Sequence, residues 1–329
     1  MARFPSSLFT ILTALLMIGP WQSSRSEDEK AKTYPRTFKA KGAAVEVVEA
    51  PTGIQAAWKT EHFHLLSDQD IGRDALRRFA TTMESVPKLL SGYPLPLWSP
   101  AKRGRAVIRL CGNEERFSEF GGPSGSAGLF DSRKNEILIR ADLFLAPPGS
   151  STRLKEPPDE SLLIHEVCHY AMDLKLRGAP PWLKEGLAEY FSVAHQQAGF
   201  YRFDQFEQSL PKRLRRNLAL QPGARAELPS IKRVLGLDGR AWSRELERGE
   251  PEEFYLPYAT SLLLVHYYIE GGAARRSEFS DYIQAFSKLQ SRRDPLPELP
   301  LTDSVAVEDR LTKFWATRGL QLQFEGPVE

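Results

Sequence analysis

The sequence predicts an α+β protein, with a mixed β-sheet in the first half of the chain and helices in the second half. Short segments of alternating apolar residues recur up to about residue 140, and helical periodicity dominates from residue 157 onward. A period of two is typical of half-buried strands, and a period of 3.6 is typical of helices. Because strands and helices fall in separate runs and no internal repeat is present, an α+β fold is favoured.

The composition is that of an ordinary globular protein. The chain has 329 residues with 23 Gly, 24 Pro and only 2 Cys, which excludes collagen-like, low-complexity and disulfide-dense classes. Its 44 basic and 42 acidic residues give a net charge of +2. Because this charge is small, no global field favours nucleic acid or an anionic membrane as a partner.

The first 26 residues have the layout of a secretory signal peptide. Arg3 precedes an apolar run from Leu8 to Ile18, which is followed by Gly19-Pro20 and small residues up to Ser26. This run is too short to span about 30 Å of hydrocarbon. We therefore expect cleavage after Ser26 and export to the periplasm, cell envelope or medium, with an uncleaved anchor as the alternative. No later segment is predicted to span a membrane.

The predicted elements of the first half follow a linker. Residues 27–43 are charged and lack periodicity, which predicts that linker, and residues 44–156 form the sheet-rich part. Its predicted elements are strands over Ala44–Ala50, Trp58–Leu66 and Arg105–Leu110, a helix over Asp70–Leu90, a short helix capped by Asn113, and a hairpin of Gly128–Phe130 with Glu136–Arg140.

Residues 157–329 form the predicted helix-rich part. Apolar periodicity indicates helices over Asp159–Leu174, Trp182–Gln196, Tyr255–Glu270, Ser277–Gln290 and Val305–Thr317. The stretch from Gly199 to Leu237 is less periodic and partly basic, and its run Lys212–Arg216 is expected to be a solvated face. The two parts join near Pro147–Pro158, and we expect a cleft between them.

The first of these helices contains an H-E-x-x-H motif formed by His165, Glu166 and His169. Residues four apart lie on one face of a helix, so the two imidazoles point at one position. Two such nitrogens suit Zn²⁺, which takes tetrahedral ligands at about 2.0–2.1 Å. Glu166 is rotated by about 100° from His165, which places it beside the metal. We therefore predict two zinc ligands and a general base acting on zinc-bound water. The alternative is a pair of core histidines.

The third zinc ligand is expected from the next helix. The segment Arg177–Pro181 ends the first helix, and Glu185 follows His169 by 16 residues. Glu189 lies one turn further on the same face. Because a catalytic zinc site uses three protein ligands and keeps one position open, we predict that Glu185 ligates the metal. Glu189 is predicted to orient a ligating histidine, with a solvated carboxylate as the alternative.

The motifs HEVCH and WLKEGLAEYF resemble those of gluzincin metallopeptidases, which include thermolysin-like enzymes and the aminopeptidase N family. A closer likeness, from Trp58 to Gly271, is to the peptidase-MA-like group of exported bacterial proteins. The resemblance implies a zincin-like fold with an edge strand before the H-E-x-x-H helix, zinc-dependent endopeptidase activity, and Glu185 as the third ligand. The G-x-M-E-N segment of aminopeptidase N is missing, so aminopeptidase activity is not implied.

Two further expectations follow from this resemblance. Tyr258 matches a tyrosine that hydrogen-bonds the oxyanion in aminopeptidase N relatives. The neighbouring Tyr255, Tyr267 and His266 are alternatives, as is a buried aromatic role for Tyr258. The strand Glu136–Arg140 is expected to be the edge along which a peptide substrate adds, unless other strands already cover that edge.

Two questions stay open from the sequence. Cys111 and Cys168 can form a disulfide in an oxidising compartment or remain buried thiols. A zincin-fold protein that binds zinc or a partner without turnover is the alternative to an enzyme. The presence of Glu166 and of an open fourth zinc position favours the enzyme, because structural zinc sites are usually closed by four protein ligands.

Overall fold

The computed structural model describes residues 33–99, 104–143, 160–248, 253–289, 291 and 294–326. The predicted signal peptide, residues 1–26, and the predicted join at Pro147–Pro158 lie outside these residues. From Tyr34 onward the described chain forms one unit. Its helices and its mixed sheet confirm the α+β class. Within the described residues, no helix combines the length and apolar composition needed to cross a membrane.

A six-stranded mixed sheet lies in the first half of the chain. Its strands are β2 (Glu46–Val48), β3 (Ala56–Lys59), β4 (Phe63–Ser67), β5 (Ala106–Cys111), β6 (Gly128–Asp131) and β7 (Glu136–Arg140). The spatial order is β2-β3-β4-β5-β7-β6, with parallel pairing between β4, β5 and β7 and antiparallel pairing elsewhere.

The prediction that Glu136–Arg140 is an edge strand is wrong. This segment is β7, which pairs with β5 on one side and with β6 on the other. The reason is the hairpin itself: β6 folds back antiparallel against β7 and takes the outer position. The edge at this end of the sheet is therefore β6.

The predicted strand Trp58–Leu66 is two strands, β3 and β4, joined by a turn at residues 60–62. The buried carboxylate of Glu84 holds this turn. It accepts hydrogen bonds from the Thr60 hydroxyl at 2.6 Å, from the His62 backbone N–H at 2.8 Å and from His62 Nδ1 at 2.7 Å. The alternation of apolar residues does not reveal the turn, because the group that stabilises it comes from a later helix.

The described helices include every helix that the sequence predicts. They are α1 (Arg73–Gly92), α2 (Glu114–Glu119), α3 (Ser161–Met172), α4 (Pro181–Ala194), α5 (Phe206–Asn217), α6 (Ile231–Leu235), α7 (Gly239–Arg248), α8 (Leu256–Glu270), α9 (Ala273–Phe286) and α10 (Ser304–Ala316). The predicted cap of α2 is confirmed, since Asn113 Oδ1 accepts the Arg116 N–H at 2.9 Å. The sequence did not predict α5, α6 or α7.

Two smaller sheets connect distant parts of the chain. The strands are β1 (Thr37–Lys39), β8 (His195–Gln197), β9 (Phe200–Arg202), β10 (Arg225–Leu228) and β11 (Gln321–Phe324). β9 pairs with both β1 and β8, and β10 pairs in parallel with β11. Because β1 lies within residues 27–43, the predicted linker includes a short strand that is bound to the helix-rich part.

The sheet-rich and helix-rich parts share one hydrophobic core. Phe63 and Ile108 of the sheet belong to the same buried cluster as Val167 of α3 and Leu187 of α4. The two parts are therefore halves of one domain. Cys111 and Cys168 are both buried free thiols in this structure.

Buried Glu160 fixes the start of α3. Its carboxylate forms an ion pair with Arg78 at 2.8 Å and accepts hydrogen bonds from the Thr82 hydroxyl at 2.9 Å and the Ala198 N–H at 3.1 Å. A buried charge persists only where such partners compensate its lost hydration. Because the partners come from α1 and from the turn after β8, they hold the amino-terminal end of α3 relative to both.

α4 and α8 approach each other closely at Gly186. A Cβ built on Gly186 would lie 2.6 Å from the carbonyl oxygen of Ser261 and 2.8 Å from Val265 Cγ2. Only glycine permits this approach without movement of a helix. Gly186, which follows Glu185 in the W-L-K-E-G segment, is therefore explained by packing. It lets α8 lie directly against the helix that carries Glu185.

His266 of α8 is buried without polar partners. Its ring stacks on Phe206 with centroids 5.2 Å apart and lies 4.9 Å from the Trp315 ring. Among the described residues, neither of its ring nitrogens has a hydrogen-bond partner. Burial, and next the charge of Arg318, lower the pKa of His266 to about 3.

We expect His266→Phe to remove a loss of stability at acid pH. The unfolded histidine binds a proton below about pH 6.5, whereas the folded pKa is about 3. Between these two pH values, protonation of the unfolded histidine favours unfolding. As the pH falls, the free energy of unfolding of the wild type therefore decreases relative to that of the variant by up to about 1.4 kcal/mol for each pH unit. Urea unfolding at several pH values measures this difference. Parallel pH profiles of the two proteins would contradict it.

Candidate metal centre

α3 and α4 lie side by side and antiparallel. The Ser192 hydroxyl near the end of α4 donates to the carbonyl oxygen of Ser161 at the start of α3, at 3.0 Å. At the other end, His169 near the end of α3 meets Glu185 near the start of α4. The short connection between the helices therefore returns the chain so that Glu185 faces the imidazoles of α3.

The donor atoms of His165, His169 and Glu185 form a nearly equilateral triangle. The two Nε2 atoms are 3.0 Å apart, and each lies 3.1 Å from Glu185 Oε2. A tetrahedral zinc shell with ligands at about 2.0–2.1 Å has edges of about 3.3 Å. The three atoms therefore fit such an ion with little adjustment. Their chemistry also suits zinc, because imidazole and carboxylate are common zinc ligands.

Glu189 contacts the imidazole of His165 through the ring nitrogen that does not face Glu185. Its Oε1 lies 2.9 Å from His165 Nδ1, which leaves His165 Nε2 facing Glu185. The Tyr255 hydroxyl donates to the other carboxylate oxygen of Glu189. Burial alone would raise the pKa of Glu189, but the hydrogen bond from His165 and the charge of Arg213 lower it overall. Glu189 is therefore a buried partner of His165 Nδ1 and not a surface carboxylate.

Glu166 lies beside the triangle, on the β6 side. A Cβ built on Gly128 would lie 2.8 Å from both Cγ and Oε1 of Glu166, so the side chain packs directly on the Gly128 backbone. The Phe130 N–H donates a hydrogen bond to the Glu166 carboxylate. Burial raises the pKa of Glu166, although the neighbouring His165 and His169 act in the opposite direction.

Tyr258 lies on the α8 side of the same site. Its ring centroid is 6.2 Å from that of His165, and its hydroxyl accepts a hydrogen bond from the Trp242 indole. Burial, and next the charge of Glu185, raise the pKa of Tyr258 well above its usual value. The phenol therefore keeps its proton and can donate it in a hydrogen bond.

The three alternatives to Tyr258 as oxyanion donor make contacts that differ from those of Tyr258. The Tyr255 hydroxyl is engaged by Glu189. The Tyr267 hydroxyl accepts a hydrogen bond from Arg310 at 3.4 Å. His266 lies in the aromatic cluster described above. Of these four residues, Tyr255 and Tyr258 line the cleft at the metal site.

A second group of potential ligands is explained by packing. Glu61, His62 and Glu84 also have donor atoms within 4.8 Å of one another. Both oxygens of Glu84, however, already accept the hydrogen bonds that hold the β3–β4 turn. This cluster therefore differs from the triangle of α3 and α4, whose nitrogens and oxygen face one shared point.

The triangle opens into a large cleft. Its described lining includes Gly128–Phe130 of β6, the connection between α3 and α4, and residues of α5, α8 and α9. The predicted cleft between the two parts of the domain is thus present, with β6 along one wall.

Sequence reasoning missed three contacts of the site. Trp242 donates to Tyr258, Gly128 supports Glu166, and Tyr255 donates to Glu189. Trp242 and Tyr255 carry no spacing that indicates these contacts. Gly128 has a signal of its own, since a glycine within a strand often marks a close approach of another group to the backbone.

Comparison with known proteins adds no identification. No family model matches the chain, and no curated protein matches it significantly. The resemblance to gluzincins therefore rests on the sequence motifs alone.

We expect zinc affinity to depend on Glu185 more strongly than on Glu189. Glu185→Ala removes one of three donor atoms, whereas Glu189→Gln keeps an acceptor for His165 and is expected to cost about 10–100-fold in affinity. Competition with a chromophoric chelator measures both effects. Glu278→Gln, an exposed change on α9, serves as the control. Wild-type affinity in Glu185→Ala would remove Glu185 from the ligand set.

Proposed function

We propose that this protein is a zinc-dependent metallo-endopeptidase that acts outside the cytoplasm. The observation that carries the proposal is the triangle of His165, His169 and Glu185, with Glu166 buried beside it. A bound zinc ion would supply Lewis-acid activation of water and of a peptide carbonyl. Export is proposed on the signal-peptide layout of residues 1–26 alone.

Glu166 is the proposed general base. Its carboxylate is oriented by the Phe130 N–H and by contact with Gly128, and it lies next to the imidazole pair. In this position it can accept a proton from water and later deliver that proton to the leaving amine. Burial raises its pKa, which increases its affinity for the proton that it must hold between these steps.

Tyr258 is the proposed oxyanion donor. The Trp242 indole donates to its hydroxyl oxygen, so the hydroxyl hydrogen stays free to point elsewhere. A neutral phenol near the imidazoles can donate to negative charge that develops on the substrate oxygen. Glu189 and Tyr255 act one step further away by holding the orientation of His165.

The proposed substrate is an extended peptide that lies along β6. This strand is the sheet edge next to Glu166, and its residues Gly128–Phe130 line the cleft. Part of its outward edge is already used, because the Ser126 hydroxyl donates to the Gly128 carbonyl at 2.6 Å and the Phe130 N–H donates to Glu166. A peptide would therefore make fewer main-chain bonds here than with an unoccupied edge.

We expect Glu166→Gln to abolish peptide hydrolysis without loss of zinc. The amide cannot take up a proton, and loss of general-base catalysis costs about 10²–10⁴-fold in rate. Zinc content and cleavage of a mixed peptide library are measured for the wild type, Glu166→Gln and the control Glu278→Gln. Zinc binding by all three proteins with hydrolysis by none would replace the proposal with a zinc-binding protein that lacks turnover.

We also expect Gly128→Ala to lower kcat/KM by about 10–100-fold, because a displacement of about 1 Å at a catalytic group is costly. The added methyl group overlaps Cγ and Oε1 of Glu166 and must displace that side chain. Zinc affinity should change little, since the nearest atoms to the added methyl group belong to Glu166 and Leu162 and not to the three donor residues. Gly72→Ala is the control, because no atom lies within 4 Å of a Cβ at Gly72. Equal kcat/KM in both variants would show that Glu166 does not depend on this contact.

A further inference from the structure

Three cations border the cleft next to the metal site. Lys175 and Arg177 lie on the connection between α3 and α4, and Lys184 lies in the first turn of α4, one residue before Glu185. We call these three residues the cationic rim. Among the described residues, none of the three side chains has an ion-pair or hydrogen-bond partner. Their charges therefore act on whatever enters the cleft.

The backbone that carries the rim is held by the core. Leu176 and Ala179, which alternate with the rim residues, are 1% and 5% exposed. Their N–H groups donate to the carbonyl oxygens of Met172 and Leu176, both at 2.9 Å. Gly178 has a φ of +81°, which favours glycine and allows the tight turn. The backbone of the connection therefore holds the rim residues in the lining of the cleft.

Among the described residues, no acidic residue of the cleft lining forms an ion pair with the rim. Glu185 and Glu189 are turned toward the imidazoles. The other acidic residues in the described lining are Glu166, which is buried beside the imidazoles, and Asp173 and Asp294, which both already have interaction partners. Arg133, whose side chain is 92% exposed, adds a further positive charge to the lining after β6.

The positive charge is local to this part of the cleft. The whole chain carries a net charge of only +2, so the rim does not reflect a generally basic protein. We infer that the cationic rim selects polypeptide substrates that carry acidic side chains near the bond presented to the site. This inference rests on the proposed peptidase function and adds the class of substrate to it.

The expected preference is moderate and depends on salt. Single exposed charge pairs contribute little, but three acting together give a preference of about tenfold for an acidic peptide. Exposed charges are screened within about 8 Å at physiological ionic strength. The preference should therefore shrink as salt is added, whereas contacts of apolar side chains would not weaken in this way.

Binding of labelled peptides to zinc-loaded Glu166→Gln tests the inference without turnover. Two peptides are compared that differ only in Glu against Gln at several positions. The acidic peptide is expected to bind about tenfold more tightly. The triple change Lys175→Gln, Arg177→Gln and Lys184→Gln should abolish the difference. A control triple change, Arg73→Gln, Lys232→Gln and Lys313→Gln, alters net charge equally at exposed positions outside the cleft lining and should preserve it.

Each outcome decides one of the two proposals. Equal binding of the two peptides, or a preference that survives the rim changes, would overturn the substrate class. Tighter binding of an oligonucleotide of equal charge would overturn the assignment to polypeptides. Wild-type protein that prefers acidic peptides but hydrolyses none would refute the peptidase and leave the rim intact. Hydrolysis of peptides without a preference for acidic ones would support the peptidase and overturn the substrate class.

Discussion

The site depends on the antiparallel contact of α3 and α4, because this contact brings a carboxylate to an imidazole pair. It also concentrates negative charge: Glu166, Glu185 and Glu189 lie around only two histidines. Burial disfavours charged carboxylates unless opposite charge compensates them. For Glu185 burial raises the pKa, but the charges of His169 and His165 and their hydrogen bonds lower it overall. The proposed divalent cation at the shared point would balance this charge.

The surrounding structure restrains the two helices on several sides. Glu160 ties the start of α3 to α1, and the Ser192 hydroxyl ties the end of α4 to α3. Gly186 sets the distance between α4 and α8. These contacts act on the backbone near the site, whereas Tyr255 and Glu189 act on the His165 ring itself. Donor atoms that must converge within a few tenths of an ångström need both kinds of restraint.

The sequence predicted those parts of the site that local geometry determines. The spacing within one helix is enough to place His165 and His169 together, and a short connection is enough to bring in Glu185. Non-local pairing was not predictable in this way. Which strand of the hairpin lies at the sheet edge, β6 or β7, depends on how the hairpin docks against β5. The alternating side chains of the two strands do not reveal this choice. The link from Tyr255 to Glu189 joins residues 66 positions apart and has no spacing signal.

The parallel pairing of β10 with β11 joins two strands that are far apart in the sequence. It joins Arg225 to Gln321 and Leu228 to Phe324, so the two strands are 96 positions apart in the sequence. Leu322 is 4% exposed, which makes β11 part of the core on which α8 also packs. The helices that carry the histidines and Glu185 precede this strand in the chain by more than a hundred residues. Parallel pairing over so long a separation is intrinsically slow, whereas the contacts among His165, His169 and Glu185 span 20 positions or fewer, so the proposed ligands can meet without waiting for β11 to dock.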